Sequence, residues 1–257
     1  MAITLSSDFA KQVLGMFIGD LYVSKIIPVE DMKGVKTREI YVSGGLAVNT
    51  EEGAEQDVAN STVDLVADTR DEIIAKIKDD DNAETSYDMV EQARKDVAVA
   101  LSESYETKIL AEVAGGGTIL GTAVLTKTTV FPAITDAYEA LSNAKVSKVG
   151  RWLLVKPIIT KFLLQSTDFI KASDMGQDMV NSGAIGQIAG MTVYESAYLP
   201  SDVNFIAGSP DCAKAGISIM KFKDQDASGK FLTYVSGLNK YGAVVTKATG
   251  IQVHKNA

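Results

Sequence analysis

"GRWLLVKPIITKFLLQ" (Gly150–Gln165) is followed within twenty residues by "GAIGQIAGMTVYESAYLP" (Gly183–Pro200). Arg151 to Pro157 is a continuous apolar run of strand length stopped by proline, and Trp152 within it is expected in a core. The residues after Pro157 fit a buried helix. "GMTVYES" (Gly190–Ser196) and "VNFIAGS" (Val203–Ser209) read as two short strands, the first entered through a glycine-punctuated turn. None of these stretches holds an obvious catalytic group. They specify shape.

Working outward, Pro132–Asn143 reads as a short helix burying Ile134, Ala137, Tyr138 and Leu141. Asn82–Ala114 carries the strongest helical period in the chain. Met89, Val90, Ala93, Val97, Leu101, Tyr105 and Ile109 recur every three or four residues, and Thr85 or Ser86 is placed to cap it. At ~1.5 Å per residue this helix spans roughly 40 Å, and "AGGG" (Ala114–Gly117) ends it. Glu91 and Lys95 form an i,i+4 pair on its wet side.

Upstream, Ile26–Asp81 shifts to period two. Val63, Leu65 and Ala67 share one face, and Thr62, Asp64, Val66 and Asp68 share the other. Asp68–Asp71 ("DTRD") reads as a hairpin turn into "EIIAKIK" (Glu72–Lys78), and "NTEEGAEQDVANS" (Asn49–Ser61) is polar and acidic. Such a ribbon has too little apolar cover to stand without a partner. Residues 1–25 read as a weak helical arm with Phe9, Val13, Met16, Phe17, Ile18 and Leu21 on its stripe, interrupted by Gly15 and Gly19. The last fifty residues, "GISIMKFKD", "FLTYVSG", "YGAVVTKA" and "GIQVHK", read as strands separated by glycine turns.

Composition narrows the chemistry. The 257 residues are 46% hydrophobic and 23% charged, enough for a sizeable core. Aromatic residues are only 7%, with one Trp, which disfavours a carbohydrate site of stacked rings. The single Cys212 excludes an internal disulfide or a cysteine zinc cluster. The single His254 reads as a solvent-facing strand-end residue, so a His-dependent triad is not expected. A net charge of −8 argues against sequence-blind affinity for nucleic acid. "MAITLSSDFAKQVLGMF" (Met1–Phe17) lacks the signature of a signal peptide, and no apolar run approaches the ~18 residues of a membrane span. Folding in a cytoplasm and no membrane association are expected.

Few motifs invite a chemical reading. "GGGTILG" (Gly115–Gly121) could be compared with a phosphate loop, which is the basis of a nucleotide-dependent enzyme alternative. These glycines close a helix instead of opening one, and no Lys-Ser/Thr pair follows. Asp79, Asp80 and Asp81 read as a solvated approach to a helix N-terminus, not a metal site. Glu51 with Glu52, and Asp71 with Glu72, lie in polar ribbon where nothing raises a pKa for acid–base work. Lys33, Lys36 and Arg38 form a basic group preceding the acidic Glu51, Glu52, Glu55 and Asp57, an arrangement suited to contacts between copies. No catalytic residue, cofactor or metal is assigned.

"VSKVGRWLLVKPIITKFLLQSTDFI" (Val146–Ile170), followed by the Gly183–Pro200 stretch, resembles the middle of tailed-bacteriophage major capsid (coat) proteins. "VAVALSESYETKILAEVAG" (Val97–Gly115) resembles that family's spine helix, and "YGAVVTKATGIQVHK" (Tyr241–Lys255) its closing strands. The resemblance implies an α+β fold with an N-terminal arm (1–25), an extended β-ribbon loop (26–81) and a spine helix with the first part of a peripheral domain (82–125). An axial domain (126–207) and closing peripheral strands (208–257) would follow.

It also implies a major capsid protein in the virion, assembled in the host cytoplasm through hexamers and pentamers into an icosahedral shell. That shell would enclose double-stranded DNA without sequence-specific binding. A separate scaffolding protein, a portal protein and a decoration protein are implied partners, and no covalent cross-link is assigned. A bacterial nanocompartment shell of the same fold is the alternative within the resemblance.

Overall fold

The computed structural model describes residues 22–43, 60–84, 88–165, 170–171 and 185–256. Residues 1–21 of the expected arm (1–25) lie outside them. A one-turn helix α1 (Val23–Ile26) leads into β1 (Val29–Asp31), and β2 (Thr37–Ser43) pairs antiparallel with β3 (Asn60–Val66) as a two-stranded ribbon. β4 (Thr69–Lys78) then runs into the short helix α2 (Asp79–Glu84) and the long helix α3 (Met89–Gly116).

The hairpin expected at Asp68–Asp71 does not form. β4 leaves β3 and pairs with a strand more than 150 residues later. Its alternation is nonetheless real: Asp71, Ile73, Ala75 and Ile77 turn inward while Arg70, Glu72, Ile74 and Lys76 face out. Period two reports that one face is covered and is silent on which element covers it.

α3 has 28 residues, roughly 42 Å at ~1.5 Å each. Its N-cap is Asp88, whose Oδ1 accepts the N–H groups of Val90 and Glu91 at 2.9 and 3.2 Å; the candidates Thr85 and Ser86 lie outside the described residues. Val97, Leu101, Tyr105, Ile109 and Val113 form the buried stripe. Glu91 and Lys95 pair at 2.9 Å on the exposed side.

The second half of the chain builds two sheets. Along it come β5 (Thr118–Gly121), α4 (Val130–Asn143), β6 (Trp152–Val155), α5 (Pro157–Leu164) and β7 (Ile170–Lys171). Then follow β8 (Gly186–Ile188), β9 (Met191–Glu195), β10 (Val203–Gly208), β11 (Ala213–Asp226), β12 (Leu232–Val245) and β13 (Ile251–Lys255). A four-stranded sheet has the order β1-β11-β12-β4, with α3 across one face, and a seven-stranded sheet has the order β5-β13-β10-β6-β9-β8-β7.

β13 and β5 therefore share a sheet with β10, β6 and β9 and not with β11 and β12. "FLTYVSG" and "YGAVVTKA" are likewise one continuous strand, β12, paired with β11 throughout. Its glycines serve close approach, not turning. A Cβ at Gly237 would lie 2.7 Å from Leu101 of α3, and one at Gly242 2.0 Å from the carbonyl oxygen of Val66.

The opening stretch explains itself in this frame. β6 pairs parallel with β9 and antiparallel with β10, and all four of its side chains are buried. Trp152 and Leu154 join the core under α3, while Leu153 and Val155 join the core under α4 and α5. Trp152 is buried as expected, but in the seam between the two sheets. A run with no polar alternation is what burial of both faces requires.

Gly150 and Arg151 set the corner before β6. Gly150 takes φ +72°, and buried Arg151 donates to the carbonyls of Ser147 (2.9 Å) and Val146 (2.7 Å) and to Ser142 Oγ (3.1 Å). The "IAGM" turn is a two-residue hairpin between β8 and β9, with Ala189 at φ +48° and Gly190 at +79°.

Candidate assembly surfaces

The basic group singled out in the sequence lies at the root of the ribbon. Lys33 (φ +49°) and Gly34 (φ +80°) turn the chain after β1, with the Lys33 N–H donating to Asp31 Oδ1 at 2.9 Å. Arg38 pairs with Glu30 at 3.2 Å, and Lys214 reaches the same carboxylate at 2.6 Å. The hydrogen bond from Lys214, with the charges of Lys214 and Arg38, holds the Glu30 carboxyl below its ordinary value despite partial burial. Lys36 is exposed, and its carbonyl accepts the Ala67 N–H at 2.8 Å, which fastens the ribbon root.

Glu51, Glu52, Glu55 and Asp57 lie outside the described residues. Arg38 is already engaged within its own subunit. Glu30 was the partner that spacing alone did not reveal.

The ribbon itself is held at one end. Ile40, Leu65 and Ala67 bury against Met32, and a Cβ on Gly216 would lie 2.7 Å from both Leu65 and Met32. The opposite face, with Thr37, Glu39, Tyr41, Thr62 and Asp64, is exposed, Tyr41 at 76%, while Val42 and Val63 on the inner face are half-buried.

Polar contacts fix the body behind it. Asp71 was read as one of two exposed ribbon carboxylates; it is instead a hub. It accepts from Ser104 (2.7 Å) and Lys108 on α3 and from Tyr241 on β12, tying three elements together. Burial alone would push its carboxyl up, but the bonds from Lys108, Tyr241 and Ser104 hold it below its usual value. Arg94 clamps Asp224 through two nitrogens at 2.6 and 2.9 Å. Glu112 accepts the Ala243 N–H at 2.6 Å where β12 outruns β4, and burial pushes its carboxyl up.

Glu106 sits 2% exposed on α3. Burial pushes it up to about 7, against the pull of the Tyr22 backbone, Lys25 and Ser196. These charges sit inside apolar helical and strand periods, so pattern alone gave no sign of them.

His254 is not solvent-facing: it is 4% exposed between β5 and β10, stacked on Phe205 at 5.1 Å, with its Nδ1 3.3 Å from Asn204 Nδ2. Burial lowers its pKa and favours the neutral ring. Cys212 is a buried free thiol, raised by burial.

Two glycines at the end of α3 are closely packed. A Cβ on Gly116 would lie 2.7 Å from Val245, and one on Gly117 2.8 Å from Ile251 and Val253, which leaves no cradle for phosphate. Among the described residues no group of three His, Cys, Asp or Glu side chains could hold a metal, and no helix is long and apolar enough to cross a membrane. An open groove of about 920 Å³ runs between β1 and β11, lined by Val29, Glu30, Lys33, Ile217, Met220 and Lys221. What the geometry offers is faces and edges.

Comparison with known proteins agrees. A family described as "Phage capsid protein" matches residues 63–249. No curated protein sequence matches the chain. Among solved structures, a chain of Mycobacterium phage Che8 superposes with a TM-score of 0.71 at 23% identity, covering 86% of this chain and 84% of its own. A chain from the capsid structure of the cyanophage P-SCSP1u gives 0.73 at 16% identity, covering 90% and 86%. One from the capsid of an empty GTA particle gives 0.71 at 11%, covering 91% and 89%. At these identities the likeness is one of fold.

Proposed function

Because this chain belongs to the phage capsid protein family and has the part of a major capsid protein, we propose that its copies close into an icosahedral shell through hexamers and pentamers. The shell encloses the double-stranded DNA of a tailed phage. The observation that carries the assembly reading is the β2–β3 ribbon. Its inner face buries Ile40 and Leu65, its other face leaves Glu39, Tyr41, Thr62 and Asp64 exposed, and it is joined to a body cored by two apolar clusters. A part that gains cover only from a neighbour makes sense in a lattice where every copy has one.

The role is structural. A net charge of −8 suits a wall that contains DNA without adhering to it. A separate scaffolding protein guides closure, a portal protein occupies one vertex and a decoration protein binds the outer surface. Assembly takes place in the host cytoplasm before the shell becomes part of the virion.

Electron microscopy of the purified protein tests this reading. Closed shells or ring-shaped capsomers are expected. A species that stays at 27.4 kDa at high concentration, even when supplied with the other virion proteins, contradicts it.

A further inference from the structure

Glu106 lies where three parts of the chain meet. It is on the buried side of α3, one turn after Ser102 and Glu103 and one turn before the fully buried Ile109 and Leu110. The entry to α1 reaches its carboxyl through the Tyr22 N–H and the charge of Lys25, and the turn after β9 reaches it through the Ser196 hydroxyl. Each of these is fastened to something larger. Val23, Ile26 and Ile27 are buried in the core under α3. Buried Ser196 donates its N–H to the Val155 carbonyl at 3.0 Å, and its Oγ accepts the Tyr198 N–H at 3.2 Å. The rings of Tyr22 and Tyr194 on β9 stand 6.5 Å apart. Residues 1–21 join the described body at Tyr22, so this junction fixes the point from which they leave.

A carboxyl makes a conditional joint. Oε1 of Glu106 is buried with no hydrogen-bond partner among the described residues. A neutral acid tolerates that position. A carboxylate, whose oxygens must be solvated or bonded, does not.

The charged and titratable groups around it do little to relieve this. On α3 itself Glu103 is a second acid one turn away, accepting the Tyr198 hydroxyl at 3.0 Å. Tyr105 on α3 and Tyr198 after β9 are both pushed up, by burial first, and stay neutral where Glu106 titrates. At α1, Lys25 is the cation whose charge favours the ionised form, and its Nζ lies 5.1 Å from the centre of the Tyr22 ring. A small open cavity of about 140 Å³, bounded by Val99, Ser102, Glu103, Glu106 and Tyr198, adjoins the junction and gives water a way to it.

We propose that the Glu106 carboxyl is a proton-operated latch that holds the entry to α1 and the turn after β9 together on α3. Carrying its proton, the carboxyl keeps the junction dry and closed. Ionised, it draws water in from the cavity and lets Tyr22–Ile27 part from α3. A proton can shift such an equilibrium because it binds the closed state more tightly than the open one. Strand β6, paired with β9 and β10 on its two edges, does not open with the latch. The latch works within one subunit and stands whether or not shells form.

Hydrogen exchange of the unassembled subunit at about pH 6 and pH 8, expressed as protection relative to the intrinsic rate at each pH, tests it. The amides of Lys25, Ile26 and Ile27 bond to the carbonyls of Tyr22 and Val23. Their protection should fall about tenfold between those pH values, the change set by a carboxyl at about 7 when closed and at its ordinary 4.5 when open. The amides of Trp152–Val155 should keep theirs. Glu106→Gln, which keeps the shape without the charge, should abolish the fall and leave the junction closed at both pH values. Lys25→Met removes the favourable charge but keeps an apolar stem, and should steepen the fall.

Protection that does not change with pH, a loss of the same size in β6, or a fall that persists in Glu106→Gln overturns the proposal. If Glu106→Gln does not fold, the unaltered subunit and Lys25→Met decide the matter: a fall confined to Lys25–Ile27 that steepens without the lysine supports the latch, and one that does not steepen overturns it.

Discussion

Strand β6 and the β2–β3 ribbon are opposite solutions to the same requirement. In β6 every residue from Trp152 to Val155 is buried, with one core on each side and a hydrogen-bonded strand on each edge. In the ribbon, among the residues whose burial is described, only Ile40 on β2 and Leu65 on β3 are buried, and Tyr41 stands 76% exposed. The first region is complete within one subunit. The second leaves one face open, and under the proposed shell reading the difference separates what folds this chain from what assembles it.

The largest expected effect lies on the β6 side. Trp152→Ala removes a 2% exposed indole from the seam between the two sheets and should destabilise the subunit by about 3–5 kcal/mol. Denaturant unfolding measures this, and a loss below about 1 kcal/mol would mean the seam is not the stabilising core.

Next comes Glu106, buried on α3 near Tyr22 and Ser196. Its folded value of about 7 lies above the ordinary 4.5, so the folded state holds its proton more tightly. Its contribution is full below pH 4.5 and is lost as pH rises through about 7, by up to roughly 3 kcal/mol. Unaltered protein should therefore lose stability relative to Glu106→Gln between pH 5 and 8, while parallel pH profiles would show that Glu106 is not desolvated.

Asp71→Asn comes third. It weakens the hub joining β4, α3 and β12 and should cost about 2 kcal/mol, read as a lower midpoint with an unchanged denaturant slope. A neutral result would place β4 with the ribbon, as a strand the body can do without. The smallest subunit effect belongs to the ribbon: Tyr41→Ser should shift unfolding by less than about 0.5 kcal/mol yet reduce shell yield. A large loss of subunit stability would mean that the ribbon is already covered.

The same contrast explains what the sequence disclosed. β6, α5 and α3 were legible because burial writes itself as an unbroken apolar run or a period near 3.6. The β8–β9 hairpin was legible through its glycines. Gly237 and Gly242 were misread for the same reason: a glycine that admits a crossing element looks in one dimension like a glycine that turns.

Asp68–Asp71 looked like a hairpin because two alternating segments met there, although the pairing partner of β4 lies in β12. His254 looked like a frayed end because its cover comes from β5, more than 130 residues earlier. Of the candidate site residues, Arg38 proved to be Glu30's partner, and the Asp71 hub went unnoticed because its donors come from distant elements. Local order is written locally; coverage is not.

Hydrogen exchange on the unassembled and assembled protein tests the central claim most directly. The amides of Trp152–Val155 should be strongly protected in both states. Those of Thr37–Ser43 and Asn60–Val66 should exchange readily in the subunit and become protected in the shell. Ribbon amides equally protected in both states, or equally open in both, would contradict the account of a self-sufficient body carrying a part that only a neighbour completes.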